Sequence, residues 1–196
     1  LGFGACLADD MGLGKTIQVI ATLLALKSGR ASLIVAPASL IGNWRNELAK
    51  FAPTLRVFVA HRSAASSDDF HALDTHPEAV LRSVDVVVTT YALLARCAAL
   101  MQHRWHLVVL DEAQAIKNPG TIQAKTVKEL TAHARIALTG TPVENRLGDL
   151  WSLFDFLNPG LLGSATQFAE TLKRLGTNYA PLRTLVQPWL LRRMKT

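Results

Sequence analysis

The chain has 196 residues, of which 49% are hydrophobic, and a formal net charge of +6. This apolar content is enough for a large core, but no apolar run approaches the roughly 18 residues that cross a bilayer, and no signal-like segment opens the chain, so we expect a soluble intracellular protein with no membrane partner. The two isolated cysteines and six scattered histidines suggest neither a disulfide framework nor a zinc site.

Short apolar runs alternate with helical stretches through the first three quarters of the chain. Strands are predicted at residues 5–8, 32–36, 56–60, 84–88, 106–110 and 135–138. Helices are predicted at residues 17–26, 40–51, 92–101 and 121–130, with Ser39 as the N-cap of the second. Such alternation predicts an α/β fold with a mostly parallel sheet covered by helices on both faces.

The last quarter of the chain has a different character. Residues 147–157 and 168–175 carry apolar side chains at helical spacing, and six of the 21 basic side chains but none of the 15 acidic ones lie in residues 171–196. The net charge therefore belongs to the C-terminal segment rather than to the main body. We accordingly divide the chain into an α/β unit, residues 1–146, and a helical, basic C-terminal extension, residues 147–196.

The first motif is a glycine-rich stretch that follows the first predicted strand. It reads Asp10-Met11-Gly12-Leu13-Gly14-Lys15-Thr16 and leads into a helix. Glycines allow backbone N–H groups to turn around phosphate oxygens, a lysine reaches the outer phosphates, and a hydroxyl serves a magnesium ion. The strict pattern has glycine where this chain has Asp9, so a simple glycine-rich turn with a surface lysine is the alternative interpretation.

The second motif is the acid pair Asp111-Glu112, directly after the predicted strand at 106–110. Two adjacent acids at the end of a buried strand need a cationic partner. In a phosphate-loop fold that partner is magnesium, held by Asp111, while Glu112 polarises the attacking water. Helix capping by the acids is the alternative.

Together with Leu138-Thr139-Gly140-Thr141-Pro142 and Glu144-Asn145, these motifs resemble the first RecA-like lobe of Swi/Snf-family ATPases, within helicase superfamily two. The resemblance extends over almost the whole chain. It implies a RecA-like P-loop NTPase lobe that uses ATP and Mg²⁺, and a full-length ATP hydrolase that translocates on double-stranded DNA and remodels protein–DNA complexes. Asp9 in place of the first loop glycine agrees with this family.

The family pattern implies roles for individual residues. Lys15 and Glu112 would be catalytic, and Thr16 and Asp111 would bind the metal. The residues around the nucleotide would be Asp10, Met11, Gly12, Leu13, Gly14, Lys15 and Thr16. The residues on the DNA backbone would be Pro37, Ser39, Asn43, Thr89, Thr90 and Tyr91. The residues that couple hydrolysis to DNA would be Thr139, Gly140 and Thr141. Residues 190–195 resemble the stretch that closes this lobe.

The resemblance also implies partners outside these 196 residues. A second RecA-like lobe of the same polypeptide would supply arginine fingers, so the chain alone should bind ATP weakly and hydrolyse it slowly. The short lead before the phosphate loop suggests a piece of a longer protein. Nucleoprotein complexes are the expected substrates, in the cytoplasm or nucleoid if the source is prokaryotic. The alternatives are an RNA helicase lobe and a nucleotide-independent interaction module.

Overall fold

The computed structural model describes residues 3–10, 12–27, 29–140 and 147–194. In these ranges the strands are β1 (Phe3–Leu7), β2 (Ser32–Ala36), β3 (Val57–Ala60), β4 (Val86–Thr90), β5 (Arg104–Leu110), β6 (Thr131–Leu138) and β7 (Leu190–Leu191). The α-helices are α1 (Lys15–Ala25), α2 (Ile41–Phe51), α3 (Ser67–Thr75), α4 (Pro77–Ser83), α5 (Tyr91–Leu94), α6 (Ala98–Gln102), α7 (Ile122–Glu129), α8 (Leu147–Leu157), α9 (Ala165–Leu175) and α10 (Ala180–Val186).

The strands form one sheet in the order β3-β4-β2-β5-β6-β1-β7, and every pairing is parallel. Successive side chains of a strand point to opposite faces, and on β2 they enter two separate cores. Leu33 and Val35 pack with residues of α3 to α8, whereas Ile34 and Ala36 pack with α1 and α2. The predicted parallel sheet with helices on both faces is confirmed.

The segment from residue 147 builds a third apolar cluster from α8, α9 and α10, with Phe154 and Phe168 buried at its centre. After these helices the chain returns to the sheet, because Leu190 and Leu191 pair with Cys6 and Leu7 of β1. The helical character was predicted, but this edge strand was not. The boundary at residue 146 stays a prediction.

Gly4 permits a close approach between β1 and the end of α8. A Cβ atom at this position would collide with the backbone carbonyl of Leu157. The contact is completed by Asn158, whose side chain accepts from the Gly4 amide at 3.0 Å and donates to its carbonyl at 3.3 Å. The absence of a side chain at position 4 therefore lets the C-terminal segment dock on the sheet.

Two local predictions were wrong. Ser39 does not cap α2: a 3₁₀ turn (Ala38–Leu40) precedes the helix, Leu40 takes the N-cap position, and no side chain bonds there. Residues 92–101 do not form one helix, because the backbone of Cys97 is extended and separates α5 from α6. Across the described residues, no helix is long and apolar enough to cross a membrane.

Candidate nucleotide-binding site

The carboxyl ends of five parallel strands carry all the predicted motifs. β1 leads to the glycine-rich stretch, β2 to Pro37, β5 to Asp111 and β6 to Thr139, while β4 ends at Thr90. In open α/β sheets this edge is where ligands bind. Because only β6 separates β1 from β5, the phosphate loop and the acid pair start about 10 Å apart at strand spacing.

The glycine-rich loop adopts a conformation that requires its glycines. Gly12 has φ 83° and Gly14 has φ 74°, both in the left-handed region that other residues seldom occupy. Gly14 is also the N-cap of α1, and no side chain occupies the first amides of this helix. Backbone donors at a helix N-terminus favour an anion. Met11, between these glycines, lies outside the described residues.

The Lys15 ammonium points back along its own loop. It donates to the backbone carbonyls of Asp9, at 2.5 Å, and Asp10, at 3.3 Å. Thr16 is half-buried beside it in the first turn of α1, and Leu13 is half-buried one residue before Gly14. The lysine and the hydroxyl thus stand at the mouth of the loop, next to the helix N-terminus.

Asp111 accepts hydrogen bonds from residues of α2 and α5 and from the residue that follows it. Its carboxylate accepts from the Trp44 indole at 2.8 Å and from the Glu112 amide at 2.9 Å. Its carbonyl accepts from the Tyr91 hydroxyl at 2.8 Å. Burial raises the pKa of this carboxyl, whereas the two N–H donors and the Lys15 charge act in the opposite direction. The strand order places the Lys15 loop and this acid at the same end of the sheet, with only β6 between their strands.

Glu112 has an unusual backbone. It is the non-glycine residue with positive φ (49°) among those that the structure describes. A conformation of this kind costs free energy and is concentrated at functional sites. Its carboxylate accepts a hydrogen bond from Gln114, whose other amide atom accepts from the Thr139 hydroxyl at 3.1 Å. Hydrogen bonds through Gln114 therefore connect Glu112 to Thr139, the first residue after β6. Gly140 follows it, and Thr141 lies outside the described residues.

The nucleic-acid candidates fall into two groups. The Thr89, Thr90 and Tyr91 side chains are buried. Thr89 donates to the carbonyl of Ala60 at 3.0 Å, and the Thr90 hydroxyl caps α5. All three hydroxyls make internal hydrogen bonds, and a contact between residues 89–91 and phosphate oxygens stays a prediction.

The remaining candidates lie at the start of α2 and have accessible side chains. Ser39 and Asn43 are exposed, and Pro37 is half-buried. A contact between these residues and a DNA backbone stays a prediction. Trp44, which follows Asn43 on α2, is fully buried, and its indole N–H donates to Asp111.

A phosphate loop at the end of β1, an acid pair at the end of β5 and a parallel sheet between them define a RecA-like P-loop NTPase lobe. The chain belongs to the SNF2-related domain family, whose model matches residues 2–196. It is 47% identical over 210 residues to YwqA of Bacillus subtilis, which is named as an ATP-dependent helicase/translocase. It is 34% identical over 205 residues to the ISWI chromatin-remodeling complex ATPase CHR11 of Arabidopsis thaliana.

Among solved structures, the chain resembles the Sulfolobus solfataricus SWI2/SNF2 ATPase core in complex with dsDNA, with 46% identity and a TM-score of 0.85. This match covers 99% of the chain and 41% of the solved chain. The YwqA and CHR11 matches cover 99% and 100% of the chain but only 22% and 19% of those proteins. The chain thus spans about a fifth of the length of these curated relatives.

Proposed function

We propose that this lobe binds ATP with Mg²⁺ and is the ATP-binding half of a DNA-dependent ATPase that translocates on double-stranded DNA and remodels protein–DNA complexes. The observation that carries the proposal is the convergence of the Lys15 loop and the Asp111 carboxylate beyond the carboxyl ends of β1 and β5, between which only β6 lies. The names of the relatives, which include helicases and a remodelling ATPase, support it.

In this proposal the phosphates lie against the N-terminus of α1. The backbone amides of the loop, which the positive φ angles of Gly12 and Gly14 allow to turn inward, would surround the phosphates together with Asp10, Met11 and Leu13. Lys15 would leave the loop carbonyls to reach the outer phosphates. The donors suit magnesium, since a half-buried carboxylate and a hydroxyl are hard oxygen ligands. Thr16 and Asp111 would hold this ion, which supplies charge neutralisation on the phosphates when bound.

Glu112 is the proposed general base. Its carboxylate lies next to Asp111 on a strained backbone, and Gln114 fixes it by donating a hydrogen bond. A carboxylate held in this way can orient a water and take its proton. The link from Gln114 to Thr139 supports a coupling role for Thr139, Gly140 and Thr141, because a change at the base would be felt after β6.

The DNA contact that we propose involves the first turn of α2 and the residues before it. Ser39 and Asn43 present a hydroxyl and an amide to solvent at the same sheet edge as the nucleotide site. Such groups position a protein on phosphates without reading sequence, so binding should be weak, tolerant of sequence and sensitive to salt. The solved relative with dsDNA supports DNA as the partner. RNA remains the alternative, and comparing DNA and RNA stimulation of the full-length ATPase would distinguish them.

The decisive experiment is a titration of the chain with fluorescent MgATP, comparing wild type with Lys15→Ala. Loss of the ammonium should weaken binding by at least about tenfold, since charge-assisted hydrogen bonds contribute roughly 1.5–3 kcal/mol. Lys50→Ala is a matched control, because Lys50 is an exposed lysine on α2 whose ammonium lies over the Phe51 ring. Equal affinity of wild type and Lys15→Ala would favour the nucleotide-independent interaction module.

A second measurement concerns hydrolysis. The arginine fingers expected from a second lobe typically contribute about 10³–10⁵ in rate. The 196-residue chain should therefore bind MgATP and turn it over slowly or not at all. A DNA-stimulated turnover by the chain alone that matched the full-length protein would contradict this part of the proposal.

A further inference from the structure

Asp9 occupies the position where the strict phosphate-loop pattern has glycine, and its carboxylate is completely buried. One oxygen accepts from the Arg193 backbone amide at 2.8 Å. The other accepts from the Arg193 guanidinium, at 3.1 Å from Nε and 2.5 Å from Nη2, and from the Gln18 amide at 3.4 Å. An ionised carboxylate without solvent is tolerated only when paired in this way, so position 9 depends on a residue 184 positions away.

The backbone reinforces this side-chain pair. Beyond the pairing of β7 with β1, the Ala8 amide donates to the Leu191 carbonyl at 2.7 Å, and the Asp10 amide donates to the Arg193 carbonyl at 3.1 Å. Residues 190–193 therefore run beside the chain as it leaves β1 and enters the phosphate loop. These residues are thus hydrogen-bonded directly to the start of the proposed nucleotide site.

Arg193 also reaches the far side of the loop. Its guanidinium donates to Gln18 of α1 at 2.9 Å, and Gln18 in turn donates to the Leu13 carbonyl at 3.3 Å. Asp9, at the near side, offers its backbone carbonyl to the Lys15 ammonium at 2.5 Å. The Arg193 guanidinium therefore links Asp9, whose carbonyl accepts from Lys15, to Gln18 of α1, the helix that begins at Lys15.

We propose that Arg193 is a positioning residue of the nucleotide site, which holds the phosphate loop through Asp9 and Gln18 and couples residues 190–193 to nucleotide binding. The proposal rests on the proposed ATP function. It accounts for an aspartate at position 9, where a glycine would leave Arg193 without its buried partner. Coupling is reciprocal: if the segment shapes the loop, bound nucleotide must alter the segment.

The test compares MgATP affinity of the whole chain for wild type, Arg193→Ala, Arg193→Lys, Asp9→Asn and the double variant. Arg192→Ala is the matched control, because Arg192 is an exposed neighbour with no hydrogen bond or ion pair to the described residues. We expect about tenfold weaker binding for Arg193→Ala. We expect at least threefold weaker binding for Arg193→Lys, because a compact ammonium lacks the planar guanidinium that donates to Asp9 from both Nε and Nη2. The double variant, Asp9→Asn with Arg193→Ala, should bind MgATP no more weakly than the weaker-binding of its two single variants, since both substitutions break the same link.

Hydrogen exchange supplies a readout of the coupling itself. Saturating MgATP should slow exchange at the amides of Asp10 and Arg193 in wild type, and this effect should disappear in Arg193→Lys. If Arg193→Ala fails to fold, Arg193→Lys decides in its place. Wild-type affinity in all folded Arg193 and Asp9 variants would overturn the proposal and leave the nucleotide site intact, whereas a wild-type chain that binds no MgATP would overturn both.

Discussion

Replacing Trp44 with phenylalanine removes one hydrogen-bond donor from Asp111 and keeps a flat aromatic side chain in the core. The bond that is lost joins the indole N–H to the carboxylate at 2.8 Å, inside a half-buried environment. Hydrogen bonds to charged groups contribute about 1.5–3 kcal/mol. Partners of a metal-binding side chain typically contribute about 10–100-fold to metal affinity or activity.

We therefore expect Trp44→Phe to weaken MgATP binding by about 10–100-fold. Binding of ATP in the presence of a chelator should change much less, because the Trp44 indole donates to Asp111, and the acid acts through the metal. The assay is a pair of titrations of the chain with a fluorescent ATP analogue, one with Mg²⁺ and one with EDTA. The ratio of the two dissociation constants isolates the contribution of Asp111.

Trp105→Phe is the matched control for loss of core volume. Trp105 is also buried, and its indole N–H donates at 3.0 Å to the backbone carbonyl of Leu100, within the α6–β5 connection rather than at the nucleotide site. The Trp105→Phe substitution should lower the thermal stability of the chain without changing the ratio of the dissociation constants measured with Mg²⁺ and with EDTA. Equal weakening of Trp44→Phe with and without Mg²⁺, or none at all, would refute a positioning role for Trp44.

Three further outcomes follow from the described contacts. Glu112→Gln should preserve MgATP affinity and reduce hydrolysis by the full-length protein by at least about 100-fold, because it keeps the shape and loses the base. Asp85→Asn should cost about 1–2 kcal/mol of unfolding free energy at pH 7, since hydrogen bonds from Arg56 lower the pKa of Asp85 to about 2. That pKa makes the stabilisation complete above about pH 4 and lost as the pH falls towards 2. Gly4→Ala should cost about 1–3 kcal/mol through its clash with Leu157.

Each of these outcomes has a contrary result. Hydrolysis at the wild-type rate in Glu112→Gln would show that Glu112 is not the general base. A difference between wild type and Asp85→Asn that stays constant from pH 7 to pH 3 in denaturant titrations would exclude the ion pair as its cause. Gly42→Ala is the control for Gly4, because an added Cβ on α2 meets no atom within 4 Å and should stabilise the helix. A neutral Gly4→Ala would mean that α8 can withdraw from the sheet.

The carboxyl ends of β2, β3, β5 and β6 fall at the residues that the sequence predicted. Ser32–Ala36 is a strand with the predicted bounds, and the acid pair follows β5 as expected, because a wholly apolar run followed by charge leaves few other arrangements. The parallel sheet of the RecA-like fold was also predictable, because strands that are buried on both faces are almost continuously apolar. Because the strands are parallel, the motifs that follow their carboxyl ends lie at the same side of the sheet.

The contacts that hold the site were harder to predict because they join distant parts of the chain. Trp44 reaches Asp111 across 67 positions, and an apolar helix face gives no indication that its indole N–H has a specific acceptor. Thr89 and Tyr91 suit phosphate by residue type, yet Thr89 on β4 and Tyr91 at the start of α5 are both buried, and their hydroxyls donate to the carbonyls of Ala60 and Asp111. Asp9 was noticed as a departure from the loop pattern, but its partner could be identified only from the fold.

A parallel sheet also has an opposite edge, where the strands begin. Arg104 is exposed at the start of β5, and the seven residues of this strand separate it from the Asp111 edge by about 20 Å. A cysteine-linked dye or a surface tether at this position would stand behind the nucleotide site rather than across its mouth. The lobe can thus be immobilised from the rear for single-molecule work, with both proposed ligands approaching unhindered from the front.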